Sequence, residues 1–496
     1  MGEVKQGVLK GLKFNRSVRV EARSERLSDN GGAVLVREVL ERTGTLRALD
    51  AALDDPRDQR RITHPQSELL ATFVVALSLG WQDQDDADAL RKDPAMRLSV
   101  SERACDAPLR DDPEEEGNAN PAVPQGLASQ PTLSRLLGRL ADFNRLDVLR
   151  EQLRESAARR LLAGNAGLRL SDLTLDFDAL PVPVAGHQPW ALYNGHFHET
   201  VYHPLITTSA DAGDMFGARL RRGNAHAADA ATDAILEDVR WARERLTDKV
   251  SVRIDAGMPS EPLLAALEAE DVPCVARLRN NSKLDEHARP HLRRPVGRPP
   301  NEPRTWFHEM TYKAAKWSRA RRVVLVTIEK PDELLLHHFW LLTSWPAETI
   351  AAEALLELYR RRGEAEGHLG ELKDVLGLKL SSSPRGKYSH DWRSEIIGPV
   401  RPCDDPFFRA NDAMLLLCAL SYNAMHALRC TLERALPGPK GEGWSLKRLR
   451  ERVLRVAARV TLHSRRVIVI VTESAARYWR AIWDYWRSLD APALAR

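Results

Sequence analysis

Apolar and polar residues alternate with a helical period over the first part of the chain. The segments AVLVREVLERTGTLRALDAAL and QSELLATFVVALSLGW place apolar residues three and four positions apart, which predicts helices. The helical pattern stops at residues 110–125, where acidic residues, Asn, Gly and Pro predict a loop. It resumes in PTLSRLLGRLADFNRLDVLREQL, so residues 1–165 are predicted to form a mostly helical region.

The pattern changes near residue 168, where short runs rich in β-branched residues begin. The runs LRLSDLTLDF, ETVYHPLITTS, VSVRID and VPCVARLR predict strands, and helical stretches separate the later ones. This alternation predicts an α/β domain with a mixed sheet flanked by helices, whose first part covers residues 166–279. Residues 280–346 are predicted to be a β-rich insertion, residues 347–400 to complete the domain, and residues 401–496 to form a helical C-terminal region.

Composition sets limits without indicating a function. The chain has 496 residues and 43% hydrophobic content, which is enough for two or three domains with cores. Its net charge of +4 comes from 73 basic and 69 acidic residues, so local patches matter more than the total.

The five cysteines lack any CxxC spacing, which predicts reduced thiols in a cytoplasmic protein without disulfides or zinc. No signal pattern and no run of about 18 apolar residues occurs, so we expect no membrane association.

The most informative spacing lies in YRRRGEAEGHLGELK. Tyr359, Arg362, Glu366 and Lys373 are separated by steps that bring all four side chains near one face of a helix. A carboxylate flanked by a phenol, a guanidinium and an ammonium can hold a divalent cation against a phosphate. A charged helix face exposed to solvent has the same spacing, so the motif needs further acidic partners to indicate catalysis.

Such partners occur upstream, at the ends of short apolar runs. Asp176 and Asp178 lie in LTLDFDAL, and Asp255 lies in VSVRIDAG. Ligands of α/β sheets collect where strands end, and burying an unpaired carboxylate would be costly. Because Asp176 and Asp178 are two positions apart on a predicted strand, both face the same side, and periodicity does not choose between them.

The Tyr-x2-Arg-x3-Glu-x6-Lys spacing resembles the signature of DDE transposases of bacterial insertion sequences. The wider chain resembles the insertion-sequence 1380 group, over roughly residues 15–435, because the blocks THPQSELL, LRKDPAMR, LASQPTLSRL, LYNGHF, RRGNAH and RIDAG follow in the family's order. The resemblance implies a ribonuclease-H-like fold in which Asp178 (or Asp176), Asp255 and Glu366 bind two Mg²⁺ ions, for which Mn²⁺ can substitute. Asp178 fits the family's Asp-x-Asp-x-Thr pattern better, although Leu180 stands where its threonine would be.

The resemblance also implies a function and partners. Such enzymes bind the terminal inverted repeats of an element and catalyse strand cleavage and strand transfer, in cut-and-paste transposition. The partners implied are double-stranded DNA, both element ends and target, and a second copy of the chain in a synaptic homodimer. Tyr359, Arg362 and Lys373 would contact phosphates near the cut. A catalytically decayed or repurposed DNA-binding protein and a metal-dependent DNA nuclease remain as alternatives.

Further DNA contacts are predicted outside the signature. Arg219, Arg221 and Arg222 precede GNAH and could clamp phosphates, or form a solvated basic turn. Trp306 and its neighbours in the predicted insertion could stack on an unpaired base, or fill a small β-rich core. Binding of terminal repeats is expected from the N-terminal helical region, through the arginines of residues 131–154 (Arg135, Arg139, Arg145 and Arg150).

Overall fold

The computed structural model describes most of the chain. It covers residues 9–10, 13–14, 17, 19–20, 26–101, 126–294, 296–297, 301–331, 333–378, 380–381, 401–438, 443–463 and 466–490. The predicted loop at residues 110–125 and Cys105 lie outside the described residues.

Helices dominate the N-terminal region, as predicted. Helix starts follow local capping: the Asp93 side chain accepts from the Met96 N–H, and Pro94 occupies the first helical position. The elements are β1 (Leu9–Lys10), β2 (Arg19–Val20), β3 (Leu27–Ser28), α1 (Ala33–Arg42), α2 (Thr45–Ala52), α3 (Gln66–Leu79), a 3-10 turn (Gln84–Asp86), α4 (Ala87–Leu90), α5 (Pro94–Val100), α6 (Gln130–Leu140) and α7 (Phe143–Gly164).

The middle of the chain forms strands with helices between them. The strands and helices are β4 (Leu173–Ala179), β5 (Val182–Pro183), β6 (Leu192–Asn194), β7 (Glu199–Tyr202), β8 (Leu205–Ser209), β9 (Met215–Arg219), α8 (Ala231–Arg245), β10 (Val250–Ile254), α9 (Glu261–Ala269), β11 (Cys274–Leu278), α10 (Ser282–Ala288) with a 3-10 turn (Arg289–His291), β12 (Arg304–Tyr312), β13 (Arg321–Glu329) and β14 (His337–Thr343). The strands coincide with short runs of β-branched and apolar residues that are bounded by turn-forming residues.

Eight of these strands form one mixed sheet in the order β12-β13-β14-β11-β10-β4-β8-β9. Strand β10 is parallel to both β4 and β11, and the other neighbours are antiparallel. The predicted mixed sheet flanked by helices is therefore present. The strands of residues 280–346 are antiparallel, as predicted, and they extend this same sheet through the pairing of β14 with β11.

The last part of the chain is helical but also contains a hairpin. Its elements are α11 (Ala352–Arg360), α12 (Arg362–Val375), a 3-10 turn (Pro402–Asp404), α13 (Pro406–Ala435), α14 (Leu446–Leu449), a π-helical turn (Arg450–Leu454), β15 (Ala458–His463), β16 (Arg466–Val471) and α15 (Glu473–Asp490). The C-terminal region, predicted to be helical, thus also contains β15 and β16, where β-branched residues in VTLH and RVIVIV favour strands. Strand β15 pairs with β3, which joins the two ends of the described chain.

The central helix of the molecule is α13. It packs against α1, α3, α6, α7, β9 and α15 in a core shared by N-terminal and C-terminal helices. In the described part of the chain it is the helix whose length and composition would allow it to cross a membrane, but 89% of its most apolar window is buried in the protein. The core of the protein itself accounts for its apolar character.

Candidate active site

Sheet register brings two of the predicted carboxylates together. Asp178 lies near the end of β4, and Asp255 directly follows β10. The parallel pairing aligns Ile254 with Phe177, so Asp255 emerges beside Asp178. Helix α12 carries Glu366 to the same edge of the sheet.

One guanidinium lies between all three carboxylates. Arg362 donates from Nη2 to Asp178 Oδ2 at 2.6 Å and from Nη1 to Glu366 Oε1 at 2.5 Å. Its Nη1 also lies 3.8 Å from Asp255 Oδ1. The side chains of Glu366, Asp255 and Asp178 are 59%, 44% and 23% exposed, so the cluster opens to solvent. The three predicted triad residues therefore form one constellation around a cation.

The charges in this cluster influence one another. Burial raises the pKa of the Asp178 carboxyl to about 6, and Asp255 and Glu366 add to this effect, whereas Arg362 acts against it. Burial lowers the pKa of Arg362, but the surrounding carboxylates outweigh it and raise that pKa overall. Desolvation thus disfavours the ionised form of Asp178, which a nearby cation would favour.

Asp176 lies outside the constellation. It faces the same side of β4 as Asp178, but its carboxylate pairs with Arg253 and is buried. The structure therefore places Asp178, and not Asp176, beside Asp255 and Glu366. Sequence reasoning did not single out Arg253, although an arginine inside the apolar run VSVRI signals a buried partner of opposite charge.

The donor chemistry of the cluster fits a divalent cation. Asp178, Asp255 and Glu366 supply carboxylate oxygens, which Mg²⁺ prefers, and they already surround the positive charge of Arg362. Among the described residues, no group of three or more His, Cys, Asp or Glu side chains is arranged closely enough to hold a metal ion. Arg362 would have to leave the centre of the cluster for one ion to contact all three carboxylates.

The signature block departs from the predicted geometry because it spans two helices. Helix α11 ends and α12 begins on either side of Arg361, whose N–H donates to the Glu357 carbonyl oxygen. Gly363, a poor helix former, is the second residue of α12. The half-buried Tyr359 therefore belongs to a different helix from the three other signature residues, Arg362, Glu366 and Lys373.

The three arginines before GNAH, which were predicted to clamp phosphates, have different surroundings in the structure. Arg221 is buried and donates to the carbonyl oxygens of His203 and Ala227, so it holds its loop together. Arg219 pairs with Glu237. Arg222 is the most exposed of the three, and its Nη2 lies 3.8 Å from Asp229 Oδ2. The half-buried Trp306 donates its indole N–H to the backbone of the turn at residue 291.

Two of the four arginines expected to contact DNA in the N-terminal region have partners inside the protein. Arg145 donates to the carbonyl oxygen of Arg139 at 3.1 Å, and Arg150 pairs with Asp412 at 2.5 Å. Arg135, by contrast, is exposed on α6. The helices of residues 131–154 therefore use Arg145 and Arg150 for internal contacts.

Comparison with known proteins defines the class of this molecule as a DDE transposase, an enzyme class that acts on DNA. The model of the family described as "Transposase DDE domain group 1" matches residues 10–390, and the chain belongs to that family. The predicted relation to DDE transposases is confirmed, whereas the relation to the insertion-sequence 1380 group stays a prediction. No curated protein matches the sequence. A solved piggyBac transposase synaptic complex with hairpin DNA is similar at 12% identity, over 99% of this chain and 86% of that chain, with a TM-score of 0.39.

Proposed function

We propose that this transposase cuts DNA at the ends of an insertion sequence and joins those ends to target DNA, with Asp178, Asp255 and Glu366 as its catalytic triad. The observation that carries the proposal is the convergence of these three carboxylates on Arg362, from two strand ends and one helix. The family match over residues 10–390 supports the reaction class.

The catalytic core is proposed to be ribonuclease-H-like. Support comes from five neighbouring strands of the sheet, β9-β8-β4-β10-β11, in which the first three in the chain are antiparallel and the last two run parallel to β4. The triad residues lie where β4 and β10 end, which is where ligands bind in sheets of this kind. Membership of the insertion-sequence 1380 group is part of the same proposal.

Asp178, Asp255 and Glu366 would hold the divalent ions, Mg²⁺ or Mn²⁺, of which two are expected. When bound, such ions activate the attacking oxygen and stabilise the leaving oxygen at phosphorus. The chain's own contribution is to fix three carboxylates on separate elements and to supply positive charge near the scissile phosphate. Arg362, Tyr359 and Lys373 are proposed to contact phosphates without reading base sequence, as is Arg222.

The proposed reaction has two steps. Hydrolysis of the phosphodiester at the element end leaves a free 3′-hydroxyl, and this hydroxyl then attacks a phosphorus of target DNA, releasing one target 3′-oxygen for each new bond. The partners are therefore two terminal inverted repeats and a target duplex. We propose that a homodimer pairs the two ends in one complex and that the protein acts in the bacterial cytoplasm, at the nucleoid.

A plasmid assay in cells tests this function. A donor plasmid carries the native element ends, and excision and joining are measured for the wild-type chain, Glu366→Gln and Glu364→Gln. Glu364 is exposed on the same helix, which makes it a matched control. We expect excision by the wild type and Glu364→Gln and none by Glu366→Gln.

The other results identify the alternatives. A wild-type chain that binds the element ends without excising them is a catalytically decayed DNA-binding protein. Equal cutting of DNA without inverted repeats indicates a metal-dependent nuclease. Excision by Glu366→Gln at the wild-type level overturns the proposed triad.

A further inference from the structure

A buried ion pair lies directly beneath the candidate site. The Arg253 guanidinium donates from Nε and Nη2 to the two carboxylate oxygens of Asp176, each at 2.5 Å. The side chains of Arg253 and Asp176 are 0% and 4% exposed. Neither residue is therefore accessible to DNA, and the pair must act through its neighbours.

Sheet register places this pair next to the triad. Arg253 and Asp176 are direct partners in the parallel pairing of β10 with β4. Asp178 follows Asp176 by two positions, so both side chains lie on one face of β4. Asp255 begins the turn immediately beyond Arg253 and β10. A shift of β10 against β4 would therefore change the distance between Asp178 and Asp255.

The Arg253 guanidinium also binds the helix that precedes α12. Arg253 Nη1 donates to the carbonyl oxygen of Leu358 at 2.5 Å. Leu358 lies in α11, close to the break that leads into α12 with Arg362 and Glu366. One buried side chain thus lies in β10, contacts β4 and binds α11. Strand β4 carries Asp178, β10 is followed directly by Asp255, and α11 leads into α12, which carries Glu366.

We propose that Arg253 and Asp176 form a positioning pair that fixes the separation of Asp178, Asp255 and Glu366, and thereby sets the affinity of the site for divalent ions. The proposal rests on the proposed function, because it assumes that these carboxylates hold the ions. Groups that orient metal ligands without touching the metal commonly have this effect.

The test replaces the pair by apolar side chains of similar size, in the double variant Asp176→Leu/Arg253→Met. Such a replacement leaves no unpaired buried charge, so the protein can still fold, but it removes the bond to Leu358. We expect cooperative thermal unfolding and unchanged binding of element-end DNA. Calorimetry should show Mn²⁺ binding weakened by about 10–100-fold, and cleavage should need correspondingly more Mn²⁺.

A matched control comes from a second buried pair, Arg154 with Asp238, which joins α7 to α8. Asp238 accepts from Thr207, whose strand partner Phe177 faces the side of the sheet opposite to Asp178. The variant Arg154→Met/Asp238→Leu should leave Mn²⁺ binding unchanged. If the first double variant does not fold, Arg253→Lys is tested instead. A lysine ammonium cannot donate both hydrogen bonds to Asp176 and the third to Leu358 in the same geometry, so Mn²⁺ binding should again weaken.

The proposal is overturned if folded Asp176→Leu/Arg253→Met binds Mn²⁺ as the wild type does, because the pair would then serve folding alone. Failure of the proposed function looks different: the wild-type chain itself would neither bind Mn²⁺ at the triad nor cut element ends.

Discussion

At the scale of single residues, the site separates two aspartates that look alike in the sequence. Asp176 and Asp178 share one face of β4, and the difference between them lies in their partners. Asp176 meets a fully buried arginine, and Asp178 meets an arginine shared with two exposed carboxylates. Alternation predicts which face a strand residue takes, but it contains no information about the side chain opposite, so the sequence left this choice open.

The burial of Asp178 and the ion pair of Asp176 predict opposite effects of an Asp→Asn substitution on stability. The folded-state pKa of Asp178 is raised from 3.8 to about 6, so the folded protein binds its proton more tightly than the unfolded chain does. Its contribution to stability is therefore greatest below pH 4, falls as the pH rises to about 6, and is then constant. Asp178→Asn should remove this pH dependence of stability and raise the free energy of unfolding at pH 7.5 by about 1–3 kcal/mol.

Asp176→Asn should lower the free energy of unfolding by about 3–5 kcal/mol, since the substitution leaves the buried Arg253 without a counter-charge. Burial also raises the pKa of Asp176, against the effect of Arg253. Denaturant unfolding of both variants at pH 4 and pH 7.5, without added divalent ions, makes the comparison. Equal destabilisation by the two substitutions would contradict this account of the site.

At the scale of elements, two sequence blocks of the family resemblance meet in one structure. The Asn194 side chain donates to the carbonyl oxygen of Gly223 at 2.8 Å, and the Gly223 N–H donates to that of Trp190 at 3.0 Å. The blocks LYNGHF and RRGNAH therefore share a hydrogen-bonded junction. Their order in the chain is visible in the sequence, whereas their contact depends on how the segment after β9 packs against the residues around β6.

Gly223→Ala tests this junction. A Cβ at residue 223 would overlap the backbone carbonyl oxygen of Val201, so the substitution should cost about 1–3 kcal/mol of unfolding free energy. Gly195→Ala, in the neighbouring hairpin, is the matched control, because its Cβ would meet nothing within 4 Å. Gly195→Ala should change the free energy of unfolding by no more than about 0.5 kcal/mol. Comparable losses in both variants, measured by urea unfolding, would refute a specific close approach at residue 223.

Periodicity predicts the elements better than it predicts their interruptions. The strand ends at Asp178 and Asp255 and the mixed sheet follow from the apolar runs. The break at Arg361 does not, because arginine favours helices and the residues on both sides keep a helical pattern. The hairpin of β15 and β16 escaped prediction because a charged helical pattern surrounds it.

At the scale of the whole molecule, the N-terminal and C-terminal regions share one core. Helix α13 packs against α1, α3, α6 and α7, and the side chains of Arg42 and Asp490 form an ion pair at 2.7 Å. The hydrophobic pattern of the N-terminal helices predicts that they bury one face. It does not reveal that the covering surface comes from residues more than two hundred positions away.

A fragment experiment follows from this shared core. Residues 1–165 expressed alone should lack a cooperative thermal transition and should be cut quickly by protease, because their apolar faces lose α13. Circular dichroism and limited proteolysis of the fragment and the full chain make the comparison. A fragment that unfolds cooperatively would show instead that the N-terminal region is an independent domain.

The central claim is that Asp178, Asp255 and Glu366 form one metal-dependent active site. The most direct measurement is the rate of Mg²⁺-dependent cleavage of a labelled duplex carrying the native element end, for the wild-type chain, Asp178→Asn, Asp255→Asn and Glu366→Gln. We predict site-specific cutting by the wild type and a loss of more than about 100-fold in each variant, since these groups would bind the ions directly. Cutting at the wild-type rate by any one of the three variants would contradict the account.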